Sequence, residues 1–267
     1  MRRLFYIIGL VFIFLPTIGQ AQTGITVGPP RTYFISAPGE SQTKKILVSN
    51  PSKTGTMNLT ISFNDWSYDL QGGNVIVDSG TLPISLSGWL SVMPETFFTL
   101  APGESKEIEV TLTAPTPAEP FEPVHTSMLF ITQTNPSDSF NEKGALVKVA
   151  VRTGVKVYHQ YTSDTPIPDI TFTDFKFEKE KKQLLLHFTN NGNTWTDGTI
   201  QSELISQTDG SVVKLEDQVI YTMPKDHRQV TISLPENLKR GKYLATSTFS
   251  HTENDVIKMA ELSFTYE

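Results

Sequence analysis

The chain has 267 residues, 22 basic and 28 acidic side chains, a formal charge of −6, and no cysteine. That length suits two domains of about 100–150 residues better than one. The acidic balance argues against a nucleic-acid binder. The 38% hydrophobic content argues against wholesale disorder, and the lack of cysteine excludes a disulfide framework or a cysteine zinc site.

Arg2 and Arg3 precede an apolar run from Leu4 to Ile18, broken only by Gly9, Pro16 and Thr17. Gly19-Gln20-Ala21 then offers small residues to a signal peptidase, so cleavage is expected after Ala21. About 15 apolar residues are few for a membrane span, which needs about 20. An uncleaved N-terminal anchor is the alternative, while a lipid anchor would need the missing cysteine. Cleavage of residues 1–21 leaves 246 residues and a net charge of −8, from 20 basic against 28 acidic groups. The chain closes on AELSFTYE, without a hydrophobic tail or sorting motif, so no anchor is expected after cleavage.

Beyond the leader, short β-branched and aromatic runs predict strands at Ile46–Ser49, Leu59–Phe63, Val75–Val77, Ile108–Leu112, Met128–Ile131 and Leu146–Val157. Turn chemistry separates them at Ala37-Pro38-Gly39, Asn50-Pro51-Ser52, Gln71–Asn74, Ala101-Pro102-Gly103 and Asn135-Pro136-Ser137. No stretch keeps apolar residues at helical spacing. The pattern is that of a β-sandwich over residues 22–161. Residues 162–169 (TSDTPIPD) have two prolines among polar residues and predict a short stiff linker. Residues 170–267 restart the pattern, with strands expected at Ile170–Phe177, Leu184–Thr189, Thr199–Ile205, Gln218–Tyr221, Gln229–Leu234, Tyr243–Phe249 and Ala260–Tyr266. About seven strands in about 100 residues suits a second immunoglobulin-like sandwich. The expected fold class is therefore all-β, two immunoglobulin-like β-sandwich domains in tandem.

Catalytic signatures are missing. The five histidines, His125, His159, His187, His227 and His251, show no i, i+2 or i, i+4 pair. His187 inside LLLHF reads as a structural histidine. There is no GxSxG elbow, HExxH motif, P-loop or GxGxxG. Asp65 and Asp69 flank Trp66 and could pair as a carboxylate site, although a solvated turn explains them better. The chain reads as a binding protein rather than an enzyme, with no cofactor and no metal expected.

One segment stands out. Leu146 to Tyr158 (LVKVAVRTGVKVY) puts Val147, Val149, Val151, Val155 and Val157 on one face and Lys148, Arg152 and Lys156 on the other. Thirteen residues would span about 43 Å, long for a small sandwich, where about 5–6 residues is typical. Either the valines fill the strand's own core, or part of the strand is offered to a partner.

The order of features resembles the N-terminal domain of PapD-like periplasmic pilus chaperones over about residues 24–161. ITVGPPRTYF with Arg31 and Phe34 leads to Ala37-Pro38-Gly39-Glu40. KILVSNPS at Lys45–Ser52, Trp66, WLSVMPETFFTLAPGESKEIEV at Trp89–Val110, VHTSMLFI and finally VKVAVRTGVKVY follow. Residues 170–267 resemble the family's second domain loosely, best at LHFTNNGNTW (Leu186–Trp195). The resemblance implies two sandwiches in a boomerang arrangement. It implies that Arg31 and Lys156 bind a pilus subunit's C-terminal carboxylate, and that Val147, Val149 and Val151 enter the subunit's groove by strand donation. Secreted pilus or fimbrial subunits are the expected partners, with an outer-membrane usher as a further one; the expected location is the periplasm. Two family features are absent: His125-Thr126-Ser127 has no acid, and His159-Gln160-Tyr161 has no arginine. Asn135–Gly144 is short for a long donor loop. The competing reading is a surface-exposed structural or adhesive protein binding glycan or peptidoglycan, with Trp66, Trp89 and Trp195 as platforms if they are not buried.

Overall fold

The computed structural model describes residues 24–116, 122–141, 143–251 and 257–267. The expected leader, residues 1–21, lies outside them. Among the described residues no helix is long and apolar enough to cross a membrane.

The fold is all-β, two immunoglobulin-like sandwiches in tandem. The first half runs β1 (Thr26–Gly28), β2 (Arg31–Ser36), β3 (Ser41–Ser49), β4 (Met57–Tyr68), β5 (Asn74–Val77), β6 (Leu90–Met93), β7 (Phe97–Leu100), β8 (Ser105–Thr113), β9 (Val124–Gln133), β10 (Ser137–Phe140), β11 (Leu146–Val149) and β12 (Arg152–Tyr161). One sheet orders β1-β3-β8-β6; the other orders β2-β12-β9-β4-β5, with β7 also on β4. The second half runs β13 (Ile170–Glu178), β14 (Gln183–Asn190), β15 (Thr196–Ser206), β16 (Val212–Lys214), β17 (Gln218–Thr222), β18 (His227–Ser233), β19 (Gly241–His251) and β20 (Ile257–Tyr266). Its sheets order β13-β14-β18 and β16-β15-β19-β20, with β17 on β15.

Each half fills its own core by period-2 alternation. Leu59, Ile61, Leu129, Ile131, Val155 and Val157 point into the first core, and Leu184, Leu186, Ile200, Leu204 and Phe249 into the second. The sheet holding β9 buries its other face too. Trp66, Val124, Met128, Phe130 and Tyr158 form a third apolar cluster there, closed by Met223 and Trp195 from the second half. This is why β9 shows almost no exposed position and reads as an unbroken buried run rather than an alternation.

Two expectations need correction. The thirteen-residue strand Leu146–Tyr158 is two strands, β11 and β12, separated at Ala150 and Val151. There the Gln133 side chain enters the ladder: Val151 N–H donates to Gln133 Oε1 at 3.4 Å, while Val151 O accepts from Gln133 N at 2.8 Å. β11 turns away and pairs with β10 as a separate two-stranded hairpin, so residues 135–141 belong to the first arm of an extension, not a plain connection. Asp65, expected in a solvated turn, is fully buried. It accepts from Thr81 N, Leu82 N, Ser85 Oγ and Ser87 Oγ at 2.6–2.9 Å and pins that loop. Asp69 is the turn residue, accepting from Gln71 N and Gly73 N.

Candidate functional site

β2 enters its sheet parallel to β12, and the first pair in that register is Arg31 with Lys156. Pro30 O accepts from Lys156 N at 3.1 Å, which fixes the start of the pairing. Val155 and Val157 point into the first core, so alternation turns Lys156 to the opposite face, beside the third apolar cluster. Its ammonium lies 4.1 Å from the Trp66 ring centroid and 4.3 Å from that of Tyr68, and donates to Tyr68 Oη at 2.9 Å. The Arg31 guanidinium lies 3.9 Å over the ring of Tyr221, a β17 residue of the second half. Tyr33 stacks on Tyr158 at 5.0 Å, and Trp195 lies 5.2 Å from Tyr33. The two cations are thus seated on a floor of aromatic rings from both halves.

Burial, then the charges of Arg31 and Arg228, lower the Lys156 ammonium to about 8. Burial raises the Tyr158 phenol, keeping it neutral. Among the described residues neither Arg31 nor Lys156 forms a salt bridge, and the buried Arg31 Nε has no hydrogen-bond partner. The pair opens on a cleft of about 430 Å³ whose remaining walls are Pro30, Asn74, Ile76, Met128, Phe130 and Gly154. Two adjacent cations with spare donors beside an apolar wall suit an anion attached to an apolar chain, such as a carboxylate.

The sequence-predicted valines continue outward from this point along the chain. Val151 packs against the first core, Val147 is half-buried and Val149 is 37% exposed. Leu146 and Phe140, cross-strand neighbours, are 61% and 72% exposed. On one side β12 is paired with β9 from Arg152 onward, but β2 covers the other side only from Lys156. Among the described residues, the edge from Leu146 to Val155 on that side is therefore unpaired. It ends at the two cations.

The remaining candidates separate from this site. Trp66 is 1% exposed, Trp89 is half-buried against His125 at 4.5 Å, and Trp195 packs on the third cluster. Of the three, Trp66 is closed to a glycan, while Trp89 and Trp195 are half-buried against neighbouring rings. His187 Nε2 lies 3.0 Å from Gln229 Oε1, a structural contact. Among the described residues, no cluster of three metal-ligating side chains forms.

The sequence reading missed Tyr68, Tyr221 and Arg228. Tyr68 could have been suspected, since it lies two residues after Trp66 on the same strand face. Arg228 carries no local signal: it reaches the site only because β18 packs against the β4–β5 turn, where Gln229 N donates to Leu70 O at 2.7 Å.

No protein-family model matches the chain, and no curated protein matches it in sequence. In fold it is similar to solved structures of pilus chaperones. One is in the CsuC–CsuE chaperone–tip adhesin pre-assembly complex of Acinetobacter baumannii Csu pili, at 11% identity and a TM-score of 0.48 over 89% of this chain and 97% of that one. The YadV chaperone is similar at 12% identity and 0.49, over 90% of this chain and 99% of that one. The Salmonella enterica complex of SafA pilin with the SafB chaperone is similar at 10% identity and 0.46, over 91% and 96%.

Proposed function

We propose that this protein is a periplasmic chaperone, not an enzyme, that holds secreted pilus or fimbrial subunits by lending them a strand. In this reading residues 1–21 are a cleaved leader, 22–161 the client-binding domain, 162–169 a linker and 170–267 a bracing domain. Arg31 and Lys156 take the client's C-terminal carboxylate. Val147, Val149 and Val151 enter its open groove.

The observation that carries the reading is the open edge Leu146–Val155 ending at two cations that have no salt-bridge partner among the described residues. That edge comes in two pieces, Leu146–Val149 of β11 and Arg152–Val155 of β12, with the break at Ala150 and Val151 between them. β2 occupies the same edge beyond Lys156 and runs parallel to β12. A client strand whose last carboxylate meets Arg31 and Lys156 therefore runs parallel to β12 as well, in line with β2. Each well-buried valine contributes about 1.5–3 kcal/mol before ordering costs. Each charge-assisted hydrogen bond at the carboxylate contributes about 1.5–3 kcal/mol. The valines and the charged hydrogen bonds thus contribute on the same order, and the cations set the register.

Co-expression with a secreted subunit encoded beside this protein tests the reading. A one-to-one complex is expected, and the double variant Arg31→Ala/Lys156→Ala should abolish it. An undiminished complex with that variant would remove the clamp from the mechanism.

A further inference from the structure

We propose that Arg228, on β18 of the second half, is a positioning residue of the carboxylate clamp: it holds Tyr68, and Tyr68 holds the Lys156 ammonium. The second half then shapes client capture through the aromatic seats of the clamp. This rests on the clamp reading given above for Arg31 and Lys156.

The geometry is that of an inserted key. The Arg228 side chain is 7% exposed. Its guanidinium carbon lies 4.6 Å from the Tyr68 ring centroid, and Nη1 donates to Tyr221 O at 2.6 Å. It passes under the β4–β5 turn at Gly72, where φ is +93° and an added Cβ would stand 2.0 Å from Nη2. A side chain at Gly72 would occupy the slot that the guanidinium fills. The adjacent bond from Gln229 N to Leu70 O ties β18 to the same turn. Arg228 therefore contacts both residues that carry the clamp: Tyr68, which accepts from Lys156, and Tyr221, whose ring lies beneath Arg31.

Burying a guanidinium is costly unless it is compensated. The compensation here is partial. Asp226 Oδ2 is 3.9 Å from Arg228 Nη1, but that carboxylate also accepts from Met223 N and Thr222 Oγ1, and Arg228 Nε has no partner. A cation kept under these conditions has an electrostatic reach beyond packing. The groups facing Lys156 are the cations Arg31 and Arg228, the carboxyl of Asp226, the phenols Tyr68 and Tyr158, and the Trp66 ring.

Two readouts on the purified protein test this. The first is the titration of the Lys156 side chain, followed by NMR on carbon-labelled lysine and assigned with Lys156→Arg. Arg228→Met should move its midpoint upward, and Arg228→Lys should restore the wild-type midpoint. A folded Arg228→Met protein with an unmoved midpoint overturns the proposal. The second is binding of acetyl-Thr-Val with a free carboxylate against the same dipeptide as its amide. Wild type should prefer the carboxylate, Arg228→Met should weaken that binding about tenfold, and Arg228→Lys should stay near wild type. If wild type binds the two probes equally, the clamp reading fails, whereas the Lys156 midpoint still decides whether Arg228 acts on Lys156.

Discussion

At the scale of single residues, Lys156 carries the strongest chemical consequence. Burial is the main cause of its lowered pKa, about 8, with Arg31 and Arg228 adding to it. The charged ammonium is the form that binds a carboxylate. In the free protein that form dominates below about 8 and is lost as pH rises through it. Client affinity should therefore fall as pH climbs from 7 to 9, with proton uptake on binding above pH 8. Calorimetry in buffers of different ionisation enthalpy reads that uptake, and Lys156→Arg, whose guanidinium stays charged, should show neither effect. The same shift acts on folding with the opposite slope. Between about 8 and 10.5 the unfolded chain holds the Lys156 proton and the native one does not, so stability of the free protein contributed by this group rises with pH. Lys156 was legible in the sequence as one of three cations opposite the valines, and the family resemblance singled it out together with Arg31. Their aromatic seats were not: Tyr68, Tyr158 and Tyr221 look like ordinary strand residues until three strands from two sandwiches converge.

At the scale of elements, the β10–β11 hairpin is where fold and function part company. Valines recur at every second position from Val147 to Val157 save at Thr153, so periodicity alone predicts one strand. The break arises from Gln133, whose side chain replaces a backbone acceptor and lets β11 leave the sheet. No periodic signal encodes such a substitution in the ladder. The consequence is that Val149 contributes little to this chain's own core. Val149→Asp should leave the melting temperature unchanged, within about 0.5 kcal/mol in stability terms, yet abolish recovery of the client complex. A variant that unfolds, or one that still captures client, would contradict the assignment of this strand. Val155 and Val157, by contrast, are fully buried in the first core, so the same face of one sequence motif is sealed at one end and partly exposed at the other.

At the scale of the whole molecule, the two halves should respond differently to acid. His125 and His159 are register partners in β9 and β12, facing the first core beside Trp89 and Tyr161. His159 Nε2 lies 3.0 Å from Ser36 Oγ, and both Nδ1 atoms are buried without partners. Burial lowers each imidazole to about 4, and His125 adds to the effect at His159. Between pH 6.5 and 4 the unfolded chain takes up protons that the native pair does not, so stability is lost as pH falls through that window. A group held this far below its ordinary value costs on the order of 3 kcal/mol over the window. Calorimetry at pH 5 should therefore show a transition assignable to residues 24–161 displaced downward relative to pH 7. His125→Phe/His159→Gln should reduce that displacement; an equal shift in the double variant would assign the acid sensitivity elsewhere.

Alternation of apolar and polar residues, with turn residues between the runs, was enough by itself to determine an all-β chain of two sandwiches. Each strand's inward face is set by its own side chains and the two-residue pleat. Arg31 and Lys156 were singled out by the family resemblance, since charge beside an apolar run does not separate Lys156 from Lys148 and Arg152 or point to Arg31 at all. Only the tertiary structure decided that these two become register partners, that the edge before them stays open, and that an arginine from the other sandwich supports their aromatic floor. The reason is physical: a pleat repeats along one strand, whereas strand neighbours are chosen by long-range packing, and a parallel pair such as β2 with β12 leaves no trace in local sequence.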